Sequence, residues 1–163
     1  MKTLWLVRHA KSSKKSDTGA DHDRPLNKRG KQDAPRLGEF FRERQLVPDL
    51  IVTSTAKRAR KTASKIAKAC GYEGIIEVTG ALYPGPPGQY VQVLRHVPDH
   101  VEQVMVVGHN PGAEALLAQL TGQMLPLPTA AVAHVELELE HWRQMTDTTR
   151  GRLVDVQCAK ELK

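Results

Sequence analysis

Two unbroken apolar runs, Leu4-Trp5-Leu6-Val7 and Val104-Met105-Val106-Val107, each stop abruptly at a polar tip. Runs this short and continuous suit strands buried on both faces, which occur almost only in parallel sheets covered by helices. The tips read Arg8-His9-Ala10 and Gly108-His109-Asn110-Pro111-Gly112. Open α/β sheets place their ligand crevices beyond the carboxyl ends of the strands. A guanidinium and two imidazoles at such ends point to chemistry on an anion.

The segments between these runs alternate in period. Thr3–Val7 reads as the first strand. Residues 10–26 form a polar loop without structure of its own, a length that is more often functional than not in a compact domain. A helix begins near Asn27 with Ala34, Leu37, Phe40 and Phe41 on its apolar face, and Pro35 is expected to kink it or restart it. Leu50–Thr53 is a second strand. Over Thr55–Cys70, residues Ala59, Thr62, Ala63, Ile66, Ala67 and Cys70 share one helical face; Lys57, Lys61, Lys65 and Lys68 lie on the other side, and Gly71 closes the helix. Ile75–Val78 is a third strand, Gly80–Gly88 a Pro/Gly-rich loop, Gln89–His96 a short helix and Gln103–Val107 a fourth strand. Pro111–Leu120 is a helix with proline near its first turn. Ala133–Leu139 alternates as a strand with one wet face, and Leu153–Val156 should pair beside it. Strands alternating with helices predict an α/β fold, a three-layer α/β/α sandwich around a mostly parallel sheet. With no repeat or linker, residues 1–163 read as one domain.

The net charge of +6 is unevenly spread. Residues 1–70 hold 18 Lys and Arg against 7 Asp and Glu, a balance of +11, and the remainder holds 6 against 11, a balance of −5. Positive potential should therefore gather near Arg8-His9 and speed encounter with a phosphorylated or acidic partner; the plainer alternative is a solvated basic face. Aromatics at 4% leave no stacking platform, so nucleic acid is not an expected partner. The run Leu4–Val7 is too short for a signal peptide or a membrane span. Cys70 and Cys158 fit no metal spacing and read as free thiols in a reducing cytoplasm. No acidic cluster has ligand spacing, which disfavours a metal-dependent phosphatase, and no cofactor is expected.

A phosphoryl group in transfer spreads negative charge over three oxygens, so catalysing its transfer is mainly positioning and electrostatic stabilisation. Arginine binds such oxygens with a planar fork that stays charged, and a near-neutral histidine can accept the phosphoryl covalently. Arg8-His9-Ala10, Ser54-Thr55-Ala56-Lys57-Arg58-Ala59-Arg60-Lys61-Thr62 and Val107-Gly108-His109-Asn110-Pro111-Gly112 resemble the histidine phosphatase superfamily, the phosphoglycerate mutase-like branch of α/β folds. Its pattern is Arg-His-Gly, then Ser-x-x-x-Arg-Ala-x-x-Thr, then a late Gly-His or Ser-His, and the match spans the chain nearly end to end. Chain size, the Arg-His-Ala variant and Asp23-Arg24-Pro25-Leu26 are most similar to the small SixA-type phosphohistidine phosphatases. The resemblance implies that His9 is the nucleophile, that Arg8 and Arg58 clamp the phosphoryl oxygens, and that His109 completes the pocket. Arg60 competes with Arg58, and the spacing from Ser54 favours Arg58. Arg24 either reaches back to the substrate or pairs with Asp21 or Asp23. Ser12 and Ser13 can donate hydrogen bonds to the same phosphoryl group. His22, His96, His100, His134 and His141 match no motif and read as structural or surface residues.

One departure from the family pattern bears on the substrate. Phosphomonoesterases and mutases of this superfamily usually carry a Glu just past a Leu after the third strand, as general acid. Here the stretch reads Gly80-Ala81-Leu82-Tyr83-Pro84-Gly85, with Tyr83 in that place. An alkoxide needs a proton as it leaves, a contribution of about 10²–10⁴-fold, whereas an imidazole can leave already protonated. The expected substrate is therefore a phosphohistidine on a protein, such as a histidine phosphotransfer domain of a signalling relay. The flat, open site expected without capping insertions would admit a protein side chain. Glu77, expected to point into the core, and Glu114, in the first turn after His109, are the other candidate acids. A small phosphorylated metabolite such as a nucleotide is the alternative substrate. A non-catalytic phosphate-binding module is a third reading, but a pure binder needs no nucleophile.

Overall fold

Six strands form one sheet in the order β3-β2-β4-β1-β5-β6. The structure, a computed structural model, describes residues 1–162; Lys163 of the expected domain lies outside the described residues. Chain order runs β1 (Lys2–Arg8), α1 (Lys28–Glu43), β2 (Leu50–Ser54), α2 (Lys57–Cys70), β3 (Ile76–Thr79), α3 (Pro87–Arg95), β4 (Gln103–Gly108), α4 (Gly112–Thr121), β5 (Ala131–Leu137) and β6 (Gly151–Cys158). Strands β3, β2, β4 and β1 are parallel. β5 runs antiparallel to β1, and β6 antiparallel to β5.

Alternation along the strands builds both outer layers. Trp5, Val7, Ile51, Met105 and Val107 face a core shared with Ala34, Leu37, Phe41, Ala63 and Ile66 of α1 and α2. Leu4, Leu6, Val52, Val104 and Val106 face the other core, filled by Tyr90, Leu94, Leu116, Leu117 and Leu120 of α3 and α4. The apolar runs are continuous because both faces of β1 and β4 are covered. This is the expected three-layer α/β/α architecture around a mostly parallel sheet.

Several boundaries differ from expectation, each for a local reason. α1 runs unbroken from Lys28 to Glu43 and does not restart at Pro35. Its buried face, Ala34, Leu37, Phe40 and Phe41, outweighs the one backbone hydrogen bond that proline removes. Asn27 caps it, its side chain accepting from Gly30 N at 2.9 Å. α2 starts at Lys57 rather than Thr55, since Ala56 is extended and donates its N–H to Ser54 Oγ at 3.1 Å. Gly71 ends it in the left-handed region, φ 85°. α3 begins at Pro87, two residues before the expected Gln89, and a 3₁₀ turn over Gly80–Leu82 precedes it. β5 lies two residues earlier than expected, which keeps His134 and Glu136 on its wetter face. β6 pairs with it as expected and is longer, Gly151–Cys158.

The loop 10–26 is the main correction, because it is folded. Ser12 bridges Leu26, Ser13 N–H donates to Pro25 O at 2.8 Å, and Asn27 N–H to Lys11 O at 3.0 Å. Asp21–Asp23 forms a 3₁₀ turn. The segment is thus a strap that doubles back across the carboxyl end of the sheet. Cys70 and Cys158 are both free thiols. No helix among the described residues is long and apolar enough to cross a membrane.

Candidate active site

The sheet order β2-β4-β1 brings three strand ends side by side. Arg8 pairs with Gly108 in register, and the next residue, His9, donates its N–H to Gly108 O at 3.0 Å. The rings of His9 and His109 consequently lie 5.1 Å apart. Arg58 reaches the same place from the first turn of α2, after β2. His9, Arg58 and His109 are all buried, at 7, 7 and 5% exposure. With Arg8 they line a cleft of about 350 Å³, edged by Ser12, Arg24, Asn110 and the exposed Lys11 and Lys14.

Backbone contacts fix each group. Thr62, fully buried, accepts from Ala10 N at 2.9 Å and donates to Arg58 O at 2.7 Å, tying the end of β1 to α2. Arg8 Nη1 donates to Leu127 O at 3.0 Å, while its Nε is buried without a partner. Tyr90 holds the His109 backbone, accepting from its N at 3.0 Å and donating to its O at 3.3 Å. Gly108 permits this approach, for a Cβ there would lie 2.0 Å from Tyr90 Oη.

The imidazole tautomers follow from their partners. His9 Nδ1 lies 2.7 Å from Ala10 O, which can only accept, so Nδ1 carries the proton and Nε2 keeps its lone pair. Burial, reinforced by the positive charges of Arg58, Arg8 and Arg24, lowers the His9 pKa to about 4 despite the Ala10 hydrogen bond. His109 falls to about 3, chiefly through burial and then through His9 and Arg58. Both rings are therefore neutral near pH 7. His109 Nε2 meets Ser54 Oγ at 2.8 Å. Ser54 Oγ also accepts from Ala56 N and can donate its hydroxyl hydrogen to Nε2, in the tautomer that carries the His109 proton on Nδ1. That Nδ1 is buried and unpartnered.

Arg24 unites its two expected alternatives. It pairs with Asp21 Oδ1 at 2.9 Å and also lines the cleft, with Nη2 on Ser12 Oγ at 2.9 Å and Nε on Ser13 O at 2.7 Å. It makes no pair with Asp23. Ser12 lines the cleft; Ser13 does not, its hydroxyl accepting from Lys15 N at 3.2 Å. Arg60 is exposed and donates to Thr55 O, away from the cleft.

Asp21, which the sequence marks only as an ion-pair partner for Arg24, belongs to the site as well: Arg58 Nη1 and Nη2, Arg24 and Tyr83 Oη all donate to it. Tyr83 Oη lies 2.6 Å from Asp21 Oδ2, and its ring stands edge-on to His109 at 5.5 Å. His22, read as structural or surface, packs beside this group, bonding Thr55 Oγ1 at 2.8 Å and standing edge-on to Tyr83. His134 stacks on Trp5 at 4.0 Å, and His141 pairs with Asp99. The candidate acids lie elsewhere. Glu77 is exposed on the edge strand β3 and not in the core, lining a separate cleft with Gln92, Val93 and His96. Glu114 Oε2 accepts from Leu127 N at 2.7 Å, and its charge acts on Arg8. Among the described residues, no three His, Cys, Asp or Glu side chains could together hold a metal ion.

Residues 4–80 match the model of the histidine phosphatase superfamily (branch 1). An uncharacterised protein of Mycobacterium tuberculosis is 37% identical over 119 residues, covering 71% of this chain and 72% of that protein. The crystal structure of a putative phosphohistidine phosphatase SixA from Agrobacterium tumefaciens superposes with a TM-score of 0.80 at 30% identity, covering 96% of this chain and 98% of that one. The protein histidine phosphatase SixA complexed with tungstate shares the fold, with a TM-score of 0.85 at 21% identity over 99% of both chains.

Proposed function

Since the chain belongs to the histidine phosphatase superfamily and is a phosphatase of SixA type, we propose that it hydrolyses protein phosphohistidine through a covalent intermediate on His9. Residues 1–163 would act as one catalytic domain in a reducing cytoplasm, on a phosphorylated protein such as a phosphotransfer domain. The observation that carries this reading is the convergence of His9, Arg8, Arg58 and His109 on one cleft, with Arg8 Nε and His109 Nδ1 buried and without a partner. An unmet buried polar group costs roughly 1–3 kcal/mol, and a phosphoryl oxygen is an acceptor suited to Arg8 Nε and to the Nδ1–H tautomer of His109.

In the proposed reaction, His9 Nε2 attacks phosphorus and forms a new N–P bond as the substrate's P–N bond breaks. Arg8 and Arg58 hold the equatorial oxygens, and neutral His109 donates through Nδ1. The substrate imidazole departs with a proton already on its second nitrogen. Water then attacks the phosphorylated His9, releasing inorganic phosphate and restoring Nε2. Ser12 and Arg24, joined at the cleft edge, would orient the incoming group; Ser13 supports Arg24 through its carbonyl.

The lack of a free carboxylic acid in the cleft favours phosphohistidine over alkyl phosphates. Tyr83 is already donating to Asp21, Glu114 to Arg8 and Leu127 is committed, and Glu77 faces another cleft. The deciding experiment compares a phosphohistidine peptide with alkyl phosphates, using wild type and His9→Ala. Turnover of the peptide, with an acid-labile phosphoryl trapped only when His9 is present, is the expected result. Efficient alkyl phosphate hydrolysis with none of the peptide would establish a small-molecule phosphatase instead. Binding without turnover or trapping would make the cleft a recognition module.

A further inference from the structure

We propose that a second anion subsite adjoins the phosphoryl cleft, so that the preferred substrate carries another negative group beside the phosphoryl it loses. The inference rests on the reading of the His9 cleft as the phosphoryl site. A neighbouring cleft of about 410 Å³ is lined by Lys14, Lys15, Ser16, Gly19, Asp21 and Arg24. It shares Lys14 and Arg24 with the His9 cleft, so these two side chains form the common wall.

Charge decides what the second cleft can take. Lys14 and Lys15 are exposed, and neither forms an ion pair with a carboxylate among the described residues. The one acid in the lining, Asp21, is answered by two guanidiniums, those of Arg24 and Arg58. The cleft is therefore cationic in balance. Arg24 is also fixed, since its three donor nitrogens are bound to Ser13 O, Asp21 Oδ1 and Ser12 Oγ. A rigid cationic wall between two adjoining hollows fits an extended anion better than a lone phosphate.

The feature explains a stretch that the phosphoryl chemistry leaves unused. Lys11-Ser12-Ser13-Lys14-Lys15 contributes only Ser12 and two lysines to the His9 cleft, while Lys15 faces the second one alone. A substrate with the required shape is a phosphohistidine flanked by carboxylates in an acidic segment of a protein. A compact polyphosphate has the same chemistry on a smaller scale.

The test measures kcat/KM for two phosphohistidine peptides, one flanked by aspartates and one by asparagines, and competitive inhibition by inorganic tripolyphosphate against inorganic phosphate. Two exposed lysines facing an anion should give the aspartate peptide about a ten-fold advantage at low salt, and the advantage should shrink as salt screens it. Lys14→Gln/Lys15→Gln should bring the ratio close to one. Lys61→Gln/Lys68→Gln, which removes the same charge from the exposed face of α2, should keep it. Equal kcat/KM for the two peptides with equal inhibition by the two anions overturns the subsite and leaves the phosphohistidine reading intact. A ratio that falls equally in both double variants also overturns it, in favour of a general field. If neither peptide turns over but tripolyphosphate inhibits better than phosphate, through Lys14 and Lys15, the subsite stands and the phosphohistidine reading falls.

Discussion

Arg58 Nη2 stands 3.1 Å from Asp21 Oδ2, a buried guanidinium meeting an internal anion before any substrate arrives. The Tyr83 hydroxyl, Arg24 and Arg58 hold the Asp21 carboxyl well below the usual carboxylate range, so it stays ionised. In the proposed reaction Arg58 must turn part of this attraction over to a phosphoryl oxygen. Asp21→Asn keeps the shape and removes the charge. Half of the Asp21 side chain is exposed, so the competing attraction is modest, and inorganic phosphate or vanadate should inhibit the variant about two- to five-fold more tightly. Weaker inhibition would show that Asp21 positions Arg58 and does not compete for it.

The low pKa of His9 predicts an unusual acid limb. As the proposed nucleophile, His9 must be neutral, so kcat/KM, with the substrate's own ionisation divided out, should hold level to about pH 5 and fall only near 4. A limb near 6.5 would mean that the ring is solvated in the free enzyme. Stability should respond over a different range. The unfolded chain takes up protons near pH 6.5 whereas folded His9 and His109 wait until about 4 and 3. Stability is thus full above pH 6.5 and is lost as pH falls through that window, by on the order of a few kcal/mol. His109→Gln should flatten the decline, as read by denaturant melts.

Thr62 is a second-layer support with a simple test. Thr62→Val preserves shape and strands the Ala10 N–H in a buried position. The expected cost is roughly 1–3 kcal/mol of stability by chemical denaturation. Catalysis should suffer as well, because Ala10 O sets the His9 tautomer. Full activity with normal stability would mean that the end of β1 is held without this hydroxyl.

Leaving-group dependence tests the absence of a proton donor. Across a series of aryl phosphates, rate should fall steeply as leaving-group pKa rises, and alkyl phosphates should lag by about 10²–10⁴-fold. A flat series would reveal an acid at work, with Tyr83, edge-on to the His109 ring, the candidate.

Removing either oxygen clamp should be costly. Arg8→Ala and Arg58→Ala should each lower kcat/KM by about 10²–10³-fold, the scale for losing a preorganised oxyanion donor. Near-normal turnover in either variant would remove that arginine from the chemistry.

Strand ends made much of this site legible in the sequence. Arg8, His9 and His109 follow runs whose burial is visible from composition alone, and Ser54 fixes the spacing to Arg58. Register then brings them together, because Arg8 pairs with Gly108. Asp21 and Tyr83 were illegible as partners, since their contact spans 62 positions and depends on how the strap folds. Glu77 was misplaced for a related reason: alternation cannot reveal that β3 lies at the sheet edge, where neither face is well covered. The strap itself looked irregular because its order comes from isolated contacts, the Ser12–Leu26 bridge and side-chain bonds such as Arg24 to Ser13 O, which have no periodic signature.

The doubled-back strap makes the cleft's occupancy something the whole segment must register. Arg58 and Arg24 anchor it through Asp21, and both residues also line the His9 cleft. An anion that draws Arg58 toward it weakens the Arg58–Asp21 pair, and because coupling is reciprocal, whatever that pair adds to the anchorage of the strap lowers anion affinity by the same factor. Filling the cleft at Arg58 is then expected to loosen that turn, read as faster amide exchange there when vanadate binds. In the proposed reaction, one shared carboxylate would thus link occupancy of the cleft to the fastening of the strap.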